Sequence, residues 1–412
     1  MLRKVINGLL LMGLFCGCNP QNSPLGCDFV RVERTHLVEP NGDTLFIRGT
    51  NLGNWLNPEG YMFGFQRTNA ASGIDRMLRE AVGPDRADTF WEAFRANYIT
   101  RKDIDFIASC GANTIRLPFH YKLFTEEDYM GRKTNHEPFA VIDSVVTWCR
   151  ANDLYLILDM HDAPGGQTGD NIDDSCGYPW LLESEQSQVL FCDIWQKIAA
   201  YYRDEPTILG YELLNEPIAP YFEERDQLNA ALEPLYLRAI EAIRQVDPHH
   251  IILIGAPQWN SNFKPLSGAI EDPQVMYTCH RYGGEPTREA IREYIEFRDR
   301  SDRPMYMGEI GHNRHEWHAA FCKVMEEANI GYTFWPYKKI AGSCMVGVRR
   351  PENWRQVVEF SEAPRGTFAE IRAARPNQEQ TFEALMQFAE NSLFEHCRID
   401  TLYTRSIGLT IE

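Results

Sequence analysis

The sequence predicts an α/β protein in which eight parallel strands and their helices close into one (β/α)8 TIM barrel. From residue 44 onward, short apolar runs rich in strand-forming residues alternate with longer segments of helical pattern. This alternation is typical of a parallel sheet covered by helices. The apolar runs number eight, which is the strand count of such a barrel. The sequence contains neither a Pro/Ser-rich linker nor an internal repeat, so we expect no separate binding module.

The predicted strands and helices follow one another in regular order. The strands are Thr44–Asn51, Thr114–Pro118, Leu154–Met160, Ile208–Leu214, Ile251–Ile254, Val275–His280, Met305–Glu309 and Tyr332–Trp335. The helices are Ile104–Cys110, Phe139–Arg150, Ser184–Tyr202, Arg225–Val246, Thr287–Phe297, His315–Ala328 and Glu352–Glu362. The first of these helices has an N-cap signal at Thr100 and a stop at Gly111.

Two flanking segments complete the predicted architecture. Asp28–Gly42 should form a short hairpin that closes the bottom of the barrel. The segment from Arg375 has an amphipathic helical pattern made by Phe382, Leu385, Met386, Phe388, Ala389 and Leu393. We therefore expect a barrel over residues 28–362 and a helical extension, packed on the barrel, over residues 363–412.

The N-terminus has the features of a secretory signal. Arg3 and Lys4 precede the apolar run Val5–Phe15, which is too short to span a bilayer and ends at Cys16-Gly17-Cys18. A Gly followed by Cys at this point resembles a bacterial lipoprotein signal. We expect residues 1–17 to be the signal peptide and Cys18 to be lipidated, with an ordinary signal peptide as the alternative. The protein should then cross the inner membrane and be anchored by lipid at the outer membrane, the cell surface or in the periplasm.

Charge and cysteine usage exclude other classes of protein. The formal net charge of −17 would repel phosphate backbones, so no nucleic-acid partner is expected. Cysteines are scattered singly, without a CxxC pair or zinc spacing. We expect Cys110, Cys149 and Cys279 to be buried thiols, while one or two disulfides among the others stay open.

Polar residues follow the apolar runs at the ends of most predicted strands. In a TIM barrel these carboxyl ends meet at one rim, where catalytic residues gather. The rim residues predicted in this way are Arg116 and His120, Asp159 and His161, Asn215 and Glu216, His280 and Tyr282, Glu309, and Trp335. Two glutamates, several histidines, an arginine, an asparagine and two aromatic residues are thus expected to face one cleft.

Two carboxylates facing each other across a cleft indicate hydrolysis of a glycosidic bond. One protonated carboxyl group donates to the departing oxygen, and the other, ionised, attacks the anomeric carbon. Glu216 and Glu309 follow predicted strands four and seven, which lie on opposite sides of the barrel mouth. A separation of about 5–5.5 Å between the two groups would mean retention of configuration, and about 6.5–9.5 Å would mean inversion.

The run Leu213-Leu214-Asn215-Glu216-Pro217, together with Gly308-Glu309, resembles glycoside hydrolase family 5, a retaining family of TIM-barrel β-glycosidases. The resemblance extends from Gly49 to about Phe360. It implies that Glu216 is the acid/base and Glu309 the nucleophile. It also implies that Asn215 donates a hydrogen bond to the sugar 2-hydroxyl and that Arg116 and Tyr282 stabilise Glu309. His161 and His280 would contact the sugar or the carboxylates, and Trp335 would form the floor beneath the sugar ring. No metal or organic cofactor is implied.

Two loops resemble the exo-β-1,3-glucanase branch of this family. They are Asn51-Leu-Gly-Asn-Trp55-Leu-Asn-Pro-Glu59 and Leu158-Asp-Met-His161-Asp-Ala-Pro-Gly-Gly-Gln167. The resemblance implies that Glu59 binds hydroxyl groups of a terminal sugar and closes the cleft. We also expect Trp55 to line this end of the site, and Trp259 to stack on a sugar in an outer subsite.

The predicted function is therefore that of a retaining β-glycosidase, exo-acting on a β-glucan or related saccharide, and monomeric. An endo-β-glucanase or a β-mannanase on the same scaffold stays open, because loop geometry decides between a pocket and an open cleft. A surface lipoprotein that binds glycans without cleaving them is the alternative from another class. A dinucleotide-binding oxidoreductase is excluded, since no GxGxxG follows the first strand.

Overall fold

The computed structural model describes residues 28–131, 139–170 and 172–411. The predicted signal peptide and the predicted lipidation at Cys18 lie outside these residues. Three short antiparallel strands come first: β1 (Arg31–Glu33), β2 (His36–Val38) and β3 (Thr44–Leu45). They pack against the bottom of the barrel, where Leu37 and Leu45 join Ile157 and Leu253 in one apolar cluster. The hairpin predicted over Asp28–Gly42 is present.

Eight parallel strands close into a ring in sequence order, which confirms the predicted TIM barrel. They are β4 (Arg48–Asn51), β5 (Thr114–His120), β6 (Tyr155–Asp162), β7 (Ile208–Glu212), β8 (Ile251–Gly255), β9 (Val275–Arg281), β10 (Met305–Gly311) and β11 (Gly331–Trp335). The ring closes where Tyr332 pairs with Arg48 and Gly49 pairs with Thr114. All eight predicted strands are found, but the first is divided, since residues 44–45 belong to β3.

Helices surround the barrel and also extend beyond the predicted set. Between β4 and β11 they are α1 (Gly60–Phe63), α2 (Ala71–Val82), α3 (Pro84–Tyr98), α4 (Arg101–Ser109), α5 (Ala140–Arg150), α6 (Glu185–Tyr202), α7 (Arg225–Arg244), α8 (Pro257–Asn260), α9 (Arg292–Ser301) and α10 (His315–Glu327). Short 3-10 segments lie at Tyr121–Phe124, Trp180–Leu182 and Arg288–Ile291.

The first βα-connection is the main difference from the sequence prediction, which placed no helix between residues 52 and 99. Gly83 adopts a φ of +90°, ends α2 and lies directly before Pro84, the first residue of α3. Pro is favoured at this first helical position, so the Gly-Pro pair separates two helices rather than marking an irregular loop. As a result, a large helical layer covers one side of the barrel.

The C-terminal part combines helices with a small sheet. It contains β12 (Lys338–Ile340), β13 (Val346–Val348), α11 (Trp354–Glu362), α12 (Phe368–Ala374), α13 (Gln378–Asn391), the 3-10 segment Phe394–His396, β14 (Arg398–Ile399) and α14 (Thr401–Ser406). Helix α13 packs on α3 and α11, with Phe388 stacked on Trp354. Strand β14 pairs with β13 and was not predicted, because two residues carry no periodic signal.

The eight cysteines within the described residues are free thiols, and Cys110, Cys149 and Cys279 are buried as expected. The disulfides that the sequence left open are therefore not formed among these eight. None of the helices in the described part of the chain combines the length and apolarity needed to cross a membrane.

Candidate active site

Arg116 is the centre of a buried ion network in the upper part of the barrel. It lies on β5, and its guanidinium group binds Glu212 of β7 at two points, through Nε at 2.9 Å and Nη2 at 2.8 Å. Nη2 also lies 3.0 Å from Oδ2 of Asp159 on β6, and Nη1 donates to Oε1 of Glu309 at 2.7 Å. A fully buried cation is stable only with such partners. The network thereby fixes the guanidinium group relative to Glu309.

Glu309 is held at both carboxylate oxygens. Oε1 accepts from Arg116, and Oε2 accepts from the hydroxyl of Tyr282 at 2.5 Å. The preceding residue must be small, because a Cβ at Gly308 would lie 2.4 Å from the hydroxyl of Thr278 and 3.0 Å from Nε2 of His280. Two donors to one carboxylate stabilise its ionised form. Glu309 therefore has the surroundings of an anionic nucleophile.

Glu216 lies opposite and has different surroundings. Burial raises its pKa well above the usual value, and the charge of Glu309 adds to this effect. Nδ1 of His280 lies 2.8 Å from Oε1 of Glu216, but burial, together with the charge of Arg116, lowers the pKa of His280 far below its usual value. A neutral imidazole adds no positive charge beside Glu216. The carboxyl group is therefore kept protonated, as a general acid requires.

The backbone of Glu216 is strained, with a φ of +44°. Left-handed conformations at non-glycine residues cost about 1–3 kcal/mol and are found at functional sites. Two contacts from the β6–α6 loop hold it: Thr168 donates to the carbonyl of Glu216 at 2.8 Å, and Gln167 donates to the carbonyl of Asn215 at 2.9 Å. The loop thus aims Glu216 at the cleft.

Asn215 and His161 are oriented by the same network. Arg116 donates to Oδ1 of Asn215 at 2.9 Å, so the amide nitrogen of Asn215 is directed away from Arg116 and lies 3.3 Å from Nε2 of His161. Burial opposes a charge on His161, but Asp159, 2.7 Å from its Nδ1, raises the pKa of His161 well above the usual value. The cavity therefore has a cation on this side.

Glu59 lies at the edge of the same cavity. Its Oε1 is 3.6 Å from Nε2 of His161 and has no hydrogen-bond partner in the described part of the chain, although the side chain is buried. Burial raises the pKa of Glu59, and His161 opposes this effect. An unsatisfied buried oxygen is costly unless a ligand completes it. Glu59 is therefore available to bind a group inside the cavity.

The floor of the cavity is aromatic. Trp335 stacks on the ring of His161, with centroids 5.2 Å apart, and donates from Nε1 to the hydroxyl of Tyr61 at 2.5 Å. A Cβ at Gly53 would lie 2.7 Å from the indole ring, so only glycine lets the β4 loop cross this ring. Tyr61 in turn lies 3.2 Å from Nε2 of His312.

Most of the predicted site residues meet in one cavity of about 220 Å³. It is lined by Glu59, Tyr61, His161, Ile172, Asn215, Glu216, Tyr282, Glu309, His312 and Trp335. Arg116 is not in the cavity wall but donates to Glu309 and Asn215, which are. A neighbouring cavity of about 420 Å³ has Glu216, His280, Tyr282 and Trp259 among its walls. Trp259, which the sequence predicts to stack on a sugar in an outer subsite, lies in the wall of this second cavity. Of its surface, 38% is exposed.

Trp55 does not line the site, contrary to the sequence expectation. Only 2% of its surface is exposed, and Nε1 donates to the backbone carbonyl of Arg95 on α3 at 2.9 Å. Its indole ring belongs to the core between the barrel and the helices. The residue is thus placed to hold the first βα-connection rather than to contact a sugar.

Several site residues did not emerge from the sequence. Asn51 accepts from Arg116 at 3.1 Å, and Glu212 forms the two-point ion pair described above. Asn51 is the last residue of a predicted strand. Its position at the carboxyl end of that strand could therefore have identified it as a site residue. Tyr61 and His312 lie in different connections, and only the folded chain brings them together.

Glu216, His280 and Glu309 also form a group of the kind that holds metal ions. One ligand atom from each lies within 4.8 Å of the others. Two carboxylates and a neutral imidazole suit a cation such as Zn²⁺. Such an ion would occupy both candidate catalytic carboxylates.

Comparison with known proteins agrees with this geometry. The sequence profile of Cellulase (glycosyl hydrolase family 5) matches residues 80–339, more than half of the chain. A β-xylosidase of Phanerodontia chrysosporium is 32% identical over 258 residues, which cover 62% of this chain and 52% of that protein. Endoglucanase C of Acetivibrio thermocellus is 28% identical over 357 residues, which cover 72% of this chain and 92% of that protein. The chain thus spans about half the length of the first relative and most of the second.

Solved structures share the fold at low sequence identity. Rutinosidase from Aspergillus niger superimposes with a TM-score of 0.59 at 17% identity, covering 72% of this chain and 90% of that structure. An endogalactoceramidase superimposes with a TM-score of 0.58 at 19% identity, covering 87% and 84%. The fold and the paired carboxyl groups define a TIM-barrel glycosidase. The chain belongs to glycosyl hydrolase family 5.

Proposed function

We propose that this protein is a retaining β-glycosidase that removes terminal glucosyl residues from a β-glucan or a related saccharide. The observation that carries the retaining mechanism is the closeness of the two carboxyl groups, since one oxygen of Glu216 lies within 4.8 Å of one oxygen of Glu309. An inverting enzyme needs room for a water molecule between its carboxyl groups, about 6.5–9.5 Å, whereas about 5–5.5 Å suits direct attack by a carboxylate.

In the first step, Glu309 attacks the anomeric carbon while Glu216 gives its proton to the departing glycosidic oxygen. Arg116 and Tyr282 keep the attacking carboxylate ionised and aligned. The amide nitrogen of Asn215, set by Arg116, donates to the 2-hydroxyl of the sugar, a contact that strengthens as positive charge develops on the ring. The products of this step are a covalent glycosyl ester on Glu309 and the released leaving group.

In the second step, Glu216 acts as a base. The carboxylate left by proton transfer takes a proton from a water molecule, which attacks the anomeric carbon and releases Glu309. The charge on Glu309 is neutralised in the ester, so the pKa of Glu216 falls and suits this second role. Two inversions at one carbon give overall retention.

Glu59 supports action at chain ends. A carboxylate forms short hydrogen bonds with two hydroxyl groups of a terminal sugar, and a further sugar unit at either position would remove them. Glu59 lines the cavity of about 220 Å³ that also contains Glu216 and Glu309, and its Oε1 has no hydrogen-bond partner among the described residues. Relatives named β-xylosidase and probable glucan 1,3-β-glucosidase A also support release of single sugars, while the relatives named endoglucanase keep the endo alternative open.

Product analysis tests the proposal. The protein is incubated with laminarin, barley β-glucan, cellulose oligosaccharides and mannan, and products are separated by chromatography from the first minutes onward. We expect glucose alone, and proton NMR of the fresh product should show the β-anomer first. Release of mainly long oligosaccharides would refute exo action, and an initial α-anomer would refute retention. Binding without turnover on every substrate would favour a glycan-binding protein instead.

We also propose that the protein is exported and carries lipid at Cys18. The support is the charged start, the short apolar run and the Gly17-Cys18 pair of the sequence. Metabolic labelling with a fatty acid, in the native chain and in Cys18→Ala, tests this. Equal labelling of both chains, or none in either, would refute lipidation at this residue.

A further inference from the structure

Two cavities meet at Glu216. The first contains Glu309, and the second, of about 420 Å³, does not, while Glu216 and Tyr282 line both. A general acid lies between the sugar that is attacked and the group that departs. The second cavity is therefore the site for the leaving group, an assignment that rests on the proposed function.

Arg281 brings a positive charge into this second cavity. It is the last residue of β9, next to His280, and pairs with Ile310 of β10, so its backbone is fixed by the barrel. Its Nε is buried and has no hydrogen-bond partner within residues 28–131, 139–170 and 172–411. Among the described residues, the hydroxyl of Tyr294 is a partner of the side chain, but no carboxylate lies within ion-pairing distance.

The position of the guanidinium group is restricted by the neighbouring backbone. A Cβ at Gly284 would lie 2.7 Å from Nη2 of Arg281, so the group lies directly against this glycine. Gly284 has a φ of +85°, which further disfavours other residues there. The side chain is thus seated in the cavity wall rather than extended into solvent.

The guanidinium group of Arg281 has no carboxylate partner among the described residues, whereas that of Arg116 is paired with Asp159, Glu212 and Glu309. A planar guanidinium group with free donors matches the geometry of a carboxylate. The exposed indole of Trp259 lies in the same cavity and offers a flat surface for a ring.

We propose that Arg281 selects substrates whose leaving group bears a carboxylate, such as a uronic acid or an aromatic acid. The sugar ring or aromatic ring of the leaving group stacks against Trp259, and its carboxylate pairs with Arg281. The cleaved bond remains the one next to Glu216, and the reaction itself is unchanged. The selectivity thus concerns the group that leaves rather than the sugar that is attacked.

The experiment compares two β-glucosides that differ only in charge, those of 3-hydroxybenzoate and 3-hydroxybenzamide. In the native protein, kcat/KM should be at least about tenfold higher for the carboxylate, and salt should reduce this ratio because it screens the charges. Arg281→Gln should bring the ratio close to one, and Arg281→Lys should retain part of it. Arg355→Gln makes the same charge change at a side chain that is 89% exposed on α11, and it should leave the ratio as it is.

Outcomes that contradict the inference are separate from those that contradict the proposed function. A native ratio near one, or a high ratio that survives in Arg281→Gln, would overturn the role of Arg281 while both glucosides are still cleaved. If neither glucoside is cleaved, the proposed function is in error, and calorimetric binding of both to Glu309→Gln still decides on Arg281. Glucosyl-glucuronic acid and its carboxyl-reduced form then distinguish a uronic acid from an aromatic acid.

Discussion

The hydroxyl of Tyr282 donates to Oε2 of Glu309 at 2.5 Å, while Arg116 donates to the other oxygen of the same carboxylate. The carboxylate of Glu309, the proposed nucleophile, is thus fixed from two strands, β5 and the end of β9. A carboxylate held at both oxygens cannot rotate away from the anomeric carbon, so the two donors act on alignment as well as on charge.

Tyr282→Phe should lower kcat/KM by about 10- to 100-fold, as expected for losing roughly 1.5–3 kcal/mol from a hydrogen bond to a charged group. The ring remains, so its stacking on His312 and the stability of the fold should be kept. Steady-state kinetics with an aryl β-glucoside measures the effect. Tyr155→Phe removes a hydroxyl that binds Glu39 at the other end of the barrel and serves as the matched control. Equal losses in both variants would contradict the role of Tyr282.

Glu216 should titrate at lower pH in Glu309→Gln than in the native protein. Its pKa is raised by burial and by the negative charge of Glu309. Removing that charge makes the ionised form of Glu216 less unfavourable, so its pKa falls but stays above the usual value because burial persists. Carbon NMR of protein labelled in its glutamate carboxyl groups follows the titration. A pKa that is unchanged or higher would show that the two groups are not coupled, and Glu352→Gln controls for loss of a surface charge.

Glu216→Ala should affect substrates according to their leaving groups. Sugars with poor leaving groups should lose turnover by several orders of magnitude, while activated aryl glycosides should still form the ester on Glu309. Added azide should then attack the ester and give a β-glycosyl azide, identified by NMR. An α-azide would contradict retention. Glu216→Gln, which keeps the shape of the side chain near His280, should show the same pattern.

Glu59→Ala should reduce kcat/KM on small substrates about 10²-fold, which corresponds to roughly 3 kcal/mol of lost transition-state binding. The reason is the unpartnered Oε1 at the cavity edge, which a terminal sugar would satisfy. Chromatography of products from a long β-glucan should also reveal some internal cleavage. Full activity on small substrates would remove the basis for a closed non-reducing end.

Zn²⁺ should inhibit the protein, because Glu216, His280 and Glu309 can hold it at the expense of catalysis. Treatment with EDTA should leave activity unchanged, since Arg116 and the proton of Glu216 supply the charges that the mechanism needs. Inhibition curves in native protein and in His280→Asn test the site. Activity that is lost with EDTA and restored by a metal would contradict the proposed mechanism.

The sequence predicted the barrel and most of its rim because both have strong local signals. Strand ends such as Asn215-Glu216 and Gly308-Glu309 follow apolar runs, and parallel strands bring those ends together without further information. Trp55 was misjudged for a physical reason: its partner is the carbonyl of Arg95 on α3, a helix that was not predicted. Tyr61, His312 and Arg281 were not predicted as site residues. They line cavities formed by separate connections of the barrel, and a periodic sequence pattern does not show which connections meet.

The closed ring has a consequence for any shortened form of this protein. The profile match begins at residue 80, whereas β4 covers Arg48–Asn51 and joins β11 to β5. A fragment cut at residues 80 and 339 would therefore be an open sheet, with the backbone N–H and C=O groups of β5 and β11 unpaired along two edges. Such edges attract other chains and lead to aggregation. The region that identifies the family is thus smaller than the smallest unit expected to remain soluble.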